Sequence, residues 1–102
     1  SEAPYWTHSR GIIKYDKKNY FFSVTTSKND SELLFVKPAG KYAMIVHEGF
    51  YEEISASYDN LQAYIAQNNL TIIGNSYEFE LLNSIAASDS EKHIIEIAIE
   101  VK

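Results

Sequence analysis

The chain contains no cysteine, four glycines and two prolines, and no apolar run in it approaches the ~18–20 residues that a membrane span needs. Each shortage removes a class of function. Without cysteine there is no disulfide frame, no thiol nucleophile and no zinc-finger spacing. Four glycines build no phosphate-cradling loop, and neither a Gly-x-Ser-x-Gly elbow nor an HExxH pair occurs. The three histidines, His8, His47 and His93, are too scattered to form a metal-ligand cluster. Basic residues are also scarce: 9 Lys and Arg stand against 14 Asp and Glu, a net charge of −5. Nucleic-acid binding normally needs a basic patch, so no direct contact with nucleic acid is expected. The N-terminus lacks the apolar run of a signal peptide, and the expectation is a cytoplasmic protein without cofactor or metal.

What the chain does have is an ordinary globular composition, 45% hydrophobic and 23% charged, with a high aromatic share of 14% in which tyrosine predominates. At 102 residues it reads as one domain spanning 1–102, long enough to bury roughly two-thirds of its unfolded surface. Tyrosine joins a large apolar body to a polar tip, which suits a half-wet pocket and equally suits plain strands.

The clearest local signal is a strand-to-helix switch between Lys37 and Asn69. Pro38, Ala39 and Gly40 form a turn-prone opening. From Lys41 to His47 both alternating faces are largely apolar, so both are expected to be covered. From Tyr51 the apolar residues recur at helical spacing as Tyr51, Ile54, Tyr58, Leu61 and Ile65. Glu52 and Glu53 suit a first turn, and Asn68 with Asn69 a helix end, because asparagine tolerates the left-handed conformation. His47 is expected to be a satisfied strand-end histidine, and Tyr51 and Tyr58 core residues.

Upstream, Gly11–Tyr15 and Tyr20–Thr26 flank the polar run Asp16 to Asn19 and read as a β-hairpin, followed by a loop at Ser27–Ser31 and a short strand at Glu32–Val36. Downstream, Thr71–Leu82 carries a strand with a bend at Gly74 and Asn75, then a loop at Asn83–Glu91 and a last strand at His93–Val101. The order is β-β-β-β-α-β-β, an α+β domain with a mostly antiparallel sheet and one long helix packed across it.

Glu96 is the leading site candidate. It lies between Ile94 and Ala98 on one face of the last strand, whose other face, Ile95, Ile97, Ile99 and Val101, is wholly apolar. A sheltered carboxylate needs a partner, and Lys102 is the nearest cation on its strand face. The partner is either a Lys or Arg brought in by the fold or a cationic ligand. For a ligand, Tyr5, Trp6, Tyr42, Tyr77 and Phe79 are the candidate ring wall, each worth about 0.5–2 kcal/mol by cation–π contact. A flat ligand burying roughly 200 Å² adds about 5 kcal/mol gross. Association costs several kcal/mol of that, which leaves micromolar binding within reach.

The run PAGKYAMIVHEGFYEEISASYDNLQAYI resembles the GyrI-like (gyrase-inhibitor-like) effector-binding family, whose members include the multidrug-sensing domains of MerR-type and AraC-type transcription activators. Pro38, Ala39, Gly40, Tyr42, His47, Gly49, Tyr51, Glu52 and Glu53 fit the family pattern, and HIIEIAIEVK is similar to its closing strand, with Glu96 at the acidic position. The resemblance implies non-catalytic binding of lipophilic organic cations at an acidic, aromatic-lined pocket. It also allows a protein-interaction module of gyrase-inhibitor type, or a small hydrolase using a pocket glutamate as base. Such domains are built from two β-α-β-β halves. Here the first half lacks its opening strand and helix, so the groove between halves is expected to lack a wall, either supplied by the second subunit of a homodimer or absent through truncation of the chain.

Overall fold

The computed structural model describes residues 10–26, 31–82 and 92–102. The loops expected at Ser27–Ser31 and Asn83–Glu91 fall largely outside these residues. Six strands form: β1 (Ile12–Asp16), β2 (Tyr20–Thr26), β3 (Ser31–Lys37), β4 (Gly40–Phe50), β5 (Ile72–Leu82) and β6 (Lys92–Val101). A single 3-10 turn, Tyr51–Glu53, leads into helix α1 (Ile54–Gln67). All pairing is antiparallel, in a four-stranded sheet of order β1-β4-β6-β5 and a two-stranded sheet of β2 and β3. The α+β architecture with one helix packed on antiparallel strands is the one expected from the sequence.

The strand pairing corrects one expectation. The segments Gly11–Tyr15 and Tyr20–Thr26 do not form a hairpin with each other. β1 pairs with β4, from Ile12 opposite Met44 to Asp16 opposite Gly40, while β2 pairs with β3, from Tyr20 opposite Lys37 to Thr26 opposite Ser31. The two pairings are successive stretches of one long ribbon that bends at Lys17–Asn19 on one arm and at Pro38–Ala39 on the other. The polar run acts as a corner and not as the reversal its composition suggests. The physical reason lies in β4, whose two apolar faces demand a central place in a sheet with a neighbour on each edge. β6 supplies one neighbour and β1 the other.

The corner has its own bonds. Ala39 N–H donates to Asn19 Oδ1 at 2.8 Å, and the Tyr42 hydroxyl donates to the Pro38 carbonyl at 2.6 Å. Gly40 follows with φ +156°, in a region that side chains with a Cβ rarely adopt.

One face of the four-stranded sheet carries the main core. Ala43 and Ile45 of β4, Ile95, Ile97, Ile99 and Val101 of β6, and Leu61 and Ile65 of α1 are buried together, with Ile54, Tyr58 and Leu70 against them. The alternation in β6 and the 3–4 spacing in α1 meet there, each buried aliphatic side chain stabilising by about 1.5–3 kcal/mol. Tyr51 departs from the expected stripe and is about half exposed, because it sits in the 3-10 turn, where helical periodicity does not apply.

The helix ends as the asparagine pair suggests. Asn69 adopts φ 57°, its N–H donates to Ala66 O at 3.1 Å, and Leu70 N–H donates to Ile65 O at 3.0 Å. This crossed pair of bonds satisfies the last carbonyls and swings Leu70 onto the core beside Ile65. At the other end of α1, His47 is fully buried: its Nε2 donates to Phe50 O at 2.8 Å, and its Nδ1 is hydrogen-bonded to Ser57 Oγ at 2.7 Å. The histidine is satisfied, as expected, and locks the end of β4 to the helix.

Candidate ligand-binding site

The second face of the four-stranded sheet, away from α1, is set by register. Tyr42, Met44 and Val46 of β4 stand opposite Glu100, Ala98 and Glu96 of β6, and on the outer side Tyr77 and Phe79 of β5 stand opposite Ala98 and Glu96. Strand alternation therefore gathers Tyr42, Tyr77, Phe79 and Glu96 on one surface. The bend expected at Gly74 and Asn75 is a register shift between Ile72 and Ser76, and a second shift lies between Glu80 and Leu82.

The β2–β3 ribbon leans over this surface from the corner. Its inner face brings Phe22 and Phe35, stacked with ring centroids 5.5 Å apart. Tyr20 meets Phe79 edge-on at 5.4 Å, and Phe22 meets Tyr77 at 6.3 Å and Phe79 at 6.4 Å. Tyr42 meets Tyr77 at 6.2 Å below. Edge-to-face pairs of this kind each add about 0.5–1.5 kcal/mol beyond their buried area.

Between the corner and the sheet lies a cleft of about 590 Å³, open on one side. Phe79, Leu81 and Tyr20 give it an apolar wall, and Glu96 lies along its lining. Glu96 is half-buried and, among the described residues, makes no hydrogen bond and no ion pair. A smaller cleft of about 450 Å³ lies past the Tyr20 and Phe79 rings, between Phe22, Tyr77 and the edge of β5.

Lys37 closes the inner end of the larger cleft. The residue is 5% exposed, and its ammonium lies 2.5 Å from Asp16 Oδ2 and 4.1 Å from the centre of the Tyr42 ring. A buried ammonium survives because it has a carboxylate and a π-face at once. Lys14 Nζ stands 3.9 Å from the other Asp16 oxygen. Burial, and then the nearby Glu100 carboxylate, push the Tyr42 phenol up to about 12, so it remains a donor to Pro38.

Of the residues singled out from the sequence, Glu96 and Phe79 share the larger cleft, and Tyr77 lines the smaller one. Tyr42 is on the same sheet face but fully buried beneath Lys37, as floor and not as lining. Tyr5 and Trp6 lie outside the described residues. Sequence reasoning missed Lys37, Asp16, Tyr20, Phe22 and Leu81. For Tyr20 and Phe22 a signal existed, since they share a strand face, but nothing in the chain says which sheet that face covers.

On the helix side, the β5 carboxylates are exposed yet engaged. The hydroxyls of Tyr51 and Tyr58 donate to the two oxygens of Glu78 at 3.0 and 2.5 Å, and Glu80 pairs with His93 at 2.5 Å. Burial first, then the Glu78 bond, raise the Tyr58 phenol to about 12. Among the described residues no group of three His, Cys, Asp or Glu is placed to hold a metal ion, and no helix is long and apolar enough to cross a membrane.

The sequence profile of the GyrI-like small molecule binding domain matches residues 5–102. No curated protein and no solved structure gives a significant match.

Proposed function

The chain belongs to the GyrI-like family of small molecule binding domains, and from that premise we propose that it binds lipophilic organic cations in the cleft beneath the β2–β3 ribbon, without turning them over. Glu96 is the anionic contact, Phe79 and Tyr20 hold the apolar body, and Phe22 backs Phe79, with Tyr77 in the adjoining smaller cleft over Tyr42. The observation that carries the reading is a half-buried carboxylate beside aromatic rings with no counterion among the described residues. Lys37, the cation nearest in kind, is already matched by Asp16. An arriving cation therefore meets an acid whose partner is missing, in a place where water is partly excluded and the attraction is less screened.

A homodimer is part of the proposal. The outer face of the ribbon presents Phe21, Leu34 and Val36, from 43% to 74% exposed, an apolar surface that a second copy would cover. Solution mass by light scattering tests this directly: twice the chain mass supports it, and a monomer at every concentration contradicts it.

The binding test is a fluorescence titration with crystal violet, a flat lipophilic cation. Micromolar affinity is expected, weakened about 10- to 100-fold in Glu96→Gln, as for loss of a charged contact worth ~1.4–2.7 kcal/mol. Affinity unchanged in that variant would remove Glu96 from the site.

A further inference from the structure

We propose that the cleft prefers amphoteric molecules, with a cationic group at one end and a carboxylate or similar anion at the other, over simple cations of the same size and shape. The inference rests on the reading that Glu96 receives an organic cation, and adds a second charged contact to it.

The charge around the cleft carries the argument. The chain as a whole is acidic, at −5, yet four of its nine Lys and Arg residues, Lys14, Lys17, Lys18 and Lys37, line this one cleft. Among the described residues they face two carboxylates, Asp16 and Glu96, which leaves an excess of two positive charges within that set. These charges are not equivalent. Lys37 and Lys14 both lean on Asp16, at 2.5 and 3.9 Å. Lys17 and Lys18, on the exposed corner between β1 and β2, make no hydrogen bond or ion pair among the described residues. Beside the cluster of Lys14, Lys37 and Asp16, which is itself one positive charge in excess, the charges of the cleft with no partner among the described residues are one carboxylate on the sheet and two ammonium groups on the corner.

A ligand that is only cationic is attracted by the first and repelled by the second. A ligand with an anion at its far end gains from both. The corner lysines are long, exposed and flexible, so their contribution is modest and sensitive to salt. At low ionic strength, where such charges are least screened, it amounts to about threefold in affinity for each lysine.

The test uses rhodamine B, zwitterionic at neutral pH, and its ethyl ester, which has the same ring system and only the positive charge. Both are titrated by fluorescence anisotropy at low salt against the whole chain, the Lys17→Ala/Lys18→Ala double variant and Glu96→Gln. The zwitterion is expected to bind wild type several-fold more tightly than the ester. That preference should vanish in the double lysine variant, whose substitutions are on the surface and leave the fold intact, while Glu96→Gln weakens both dyes. An ester that binds wild type as tightly as the zwitterion, or a preference that persists without the two lysines, overturns the selectivity and leaves the Glu96 site standing. Failure of both dyes to bind overturns the underlying site as well.

Discussion

Phe79 stands directly opposite Glu96 in the antiparallel register of β5 and β6, so that a ring and an acid with no counterion among the described residues project from neighbouring strands into one cleft. Phe79 also receives the edge of Tyr20 at 5.4 Å and contacts Phe22 at 6.4 Å, which makes it the point where the β2–β3 ribbon rests on the sheet. Phe79→Ala is expected to lower stability by about 1–2 kcal/mol, less than a fully buried phenylalanine because the residue is only partly buried. The same variant should weaken binding of a cationic dye. Urea unfolding and a dye titration on one preparation check both effects.

The corner ion pair should respond asymmetrically. Asp16→Asn leaves the buried Lys37 ammonium without its carboxylate and is expected to cost about 3 kcal/mol. Lys37→Met removes the buried charge itself and leaves Asp16, which is more exposed and keeps Lys14 nearby, so the loss should be about 1 kcal/mol. The double variant should be more stable than Asp16→Asn alone. Urea midpoints of the four proteins give the cycle, and equal losses for the two single variants would refute the asymmetry.

Ser57→Ala takes away the hydroxyl that is hydrogen-bonded to His47 Nδ1 inside the junction of β4 and α1. A loss of about 1–2 kcal/mol is expected by thermal unfolding, with dye binding unchanged, because the junction lies on the face of the sheet opposite the cleft.

Raising the pH should destabilise the fold through tyrosine. An unfolded phenol titrates near 10, while burial and then the Glu100 carboxylate place Tyr42 at about 12 in the folded chain. Below about pH 10 both states keep the proton, and the contribution is complete. Between about 10 and 12 only the unfolded chain releases it, so stability falls, by less than the ~1.4 kcal/mol per pH unit of a single fully protected group. Tyr58, raised to about 12 by burial and its bond to Glu78, adds a loss of the same sign. Unfolding midpoints measured across this range should decline, with a shallower decline in Tyr42→Phe.

The sequence was most readable where the local pattern and the fold agree. Ile95, Ile97, Ile99 and Val101 declare their shared face by strict alternation, and Asn69 takes the left-handed turn its side chain tolerates. The site was less readable because it is built from residues brought together by pairing. Lys37 and Asp16 are 21 residues apart, and nothing near Lys37 announces that a strand-end lysine will be buried against a carboxylate and a ring. The polar run before Tyr20 suits a hairpin turn as well as a corner. Only the competition for the edges of β4 decides between them, and that competition is not local.

The most direct measurement of the central claim is a map of backbone amide shifts on adding crystal violet to the isotope-labelled chain. The account predicts saturable shifts concentrated at Tyr20, Lys37, Phe79, Leu81 and Glu96, and saturation at about 10- to 100-fold higher dye concentration in Glu96→Gln. Shifts that instead cluster on α1 or around Glu78 and His93, or that persist unchanged in that variant, would contradict it.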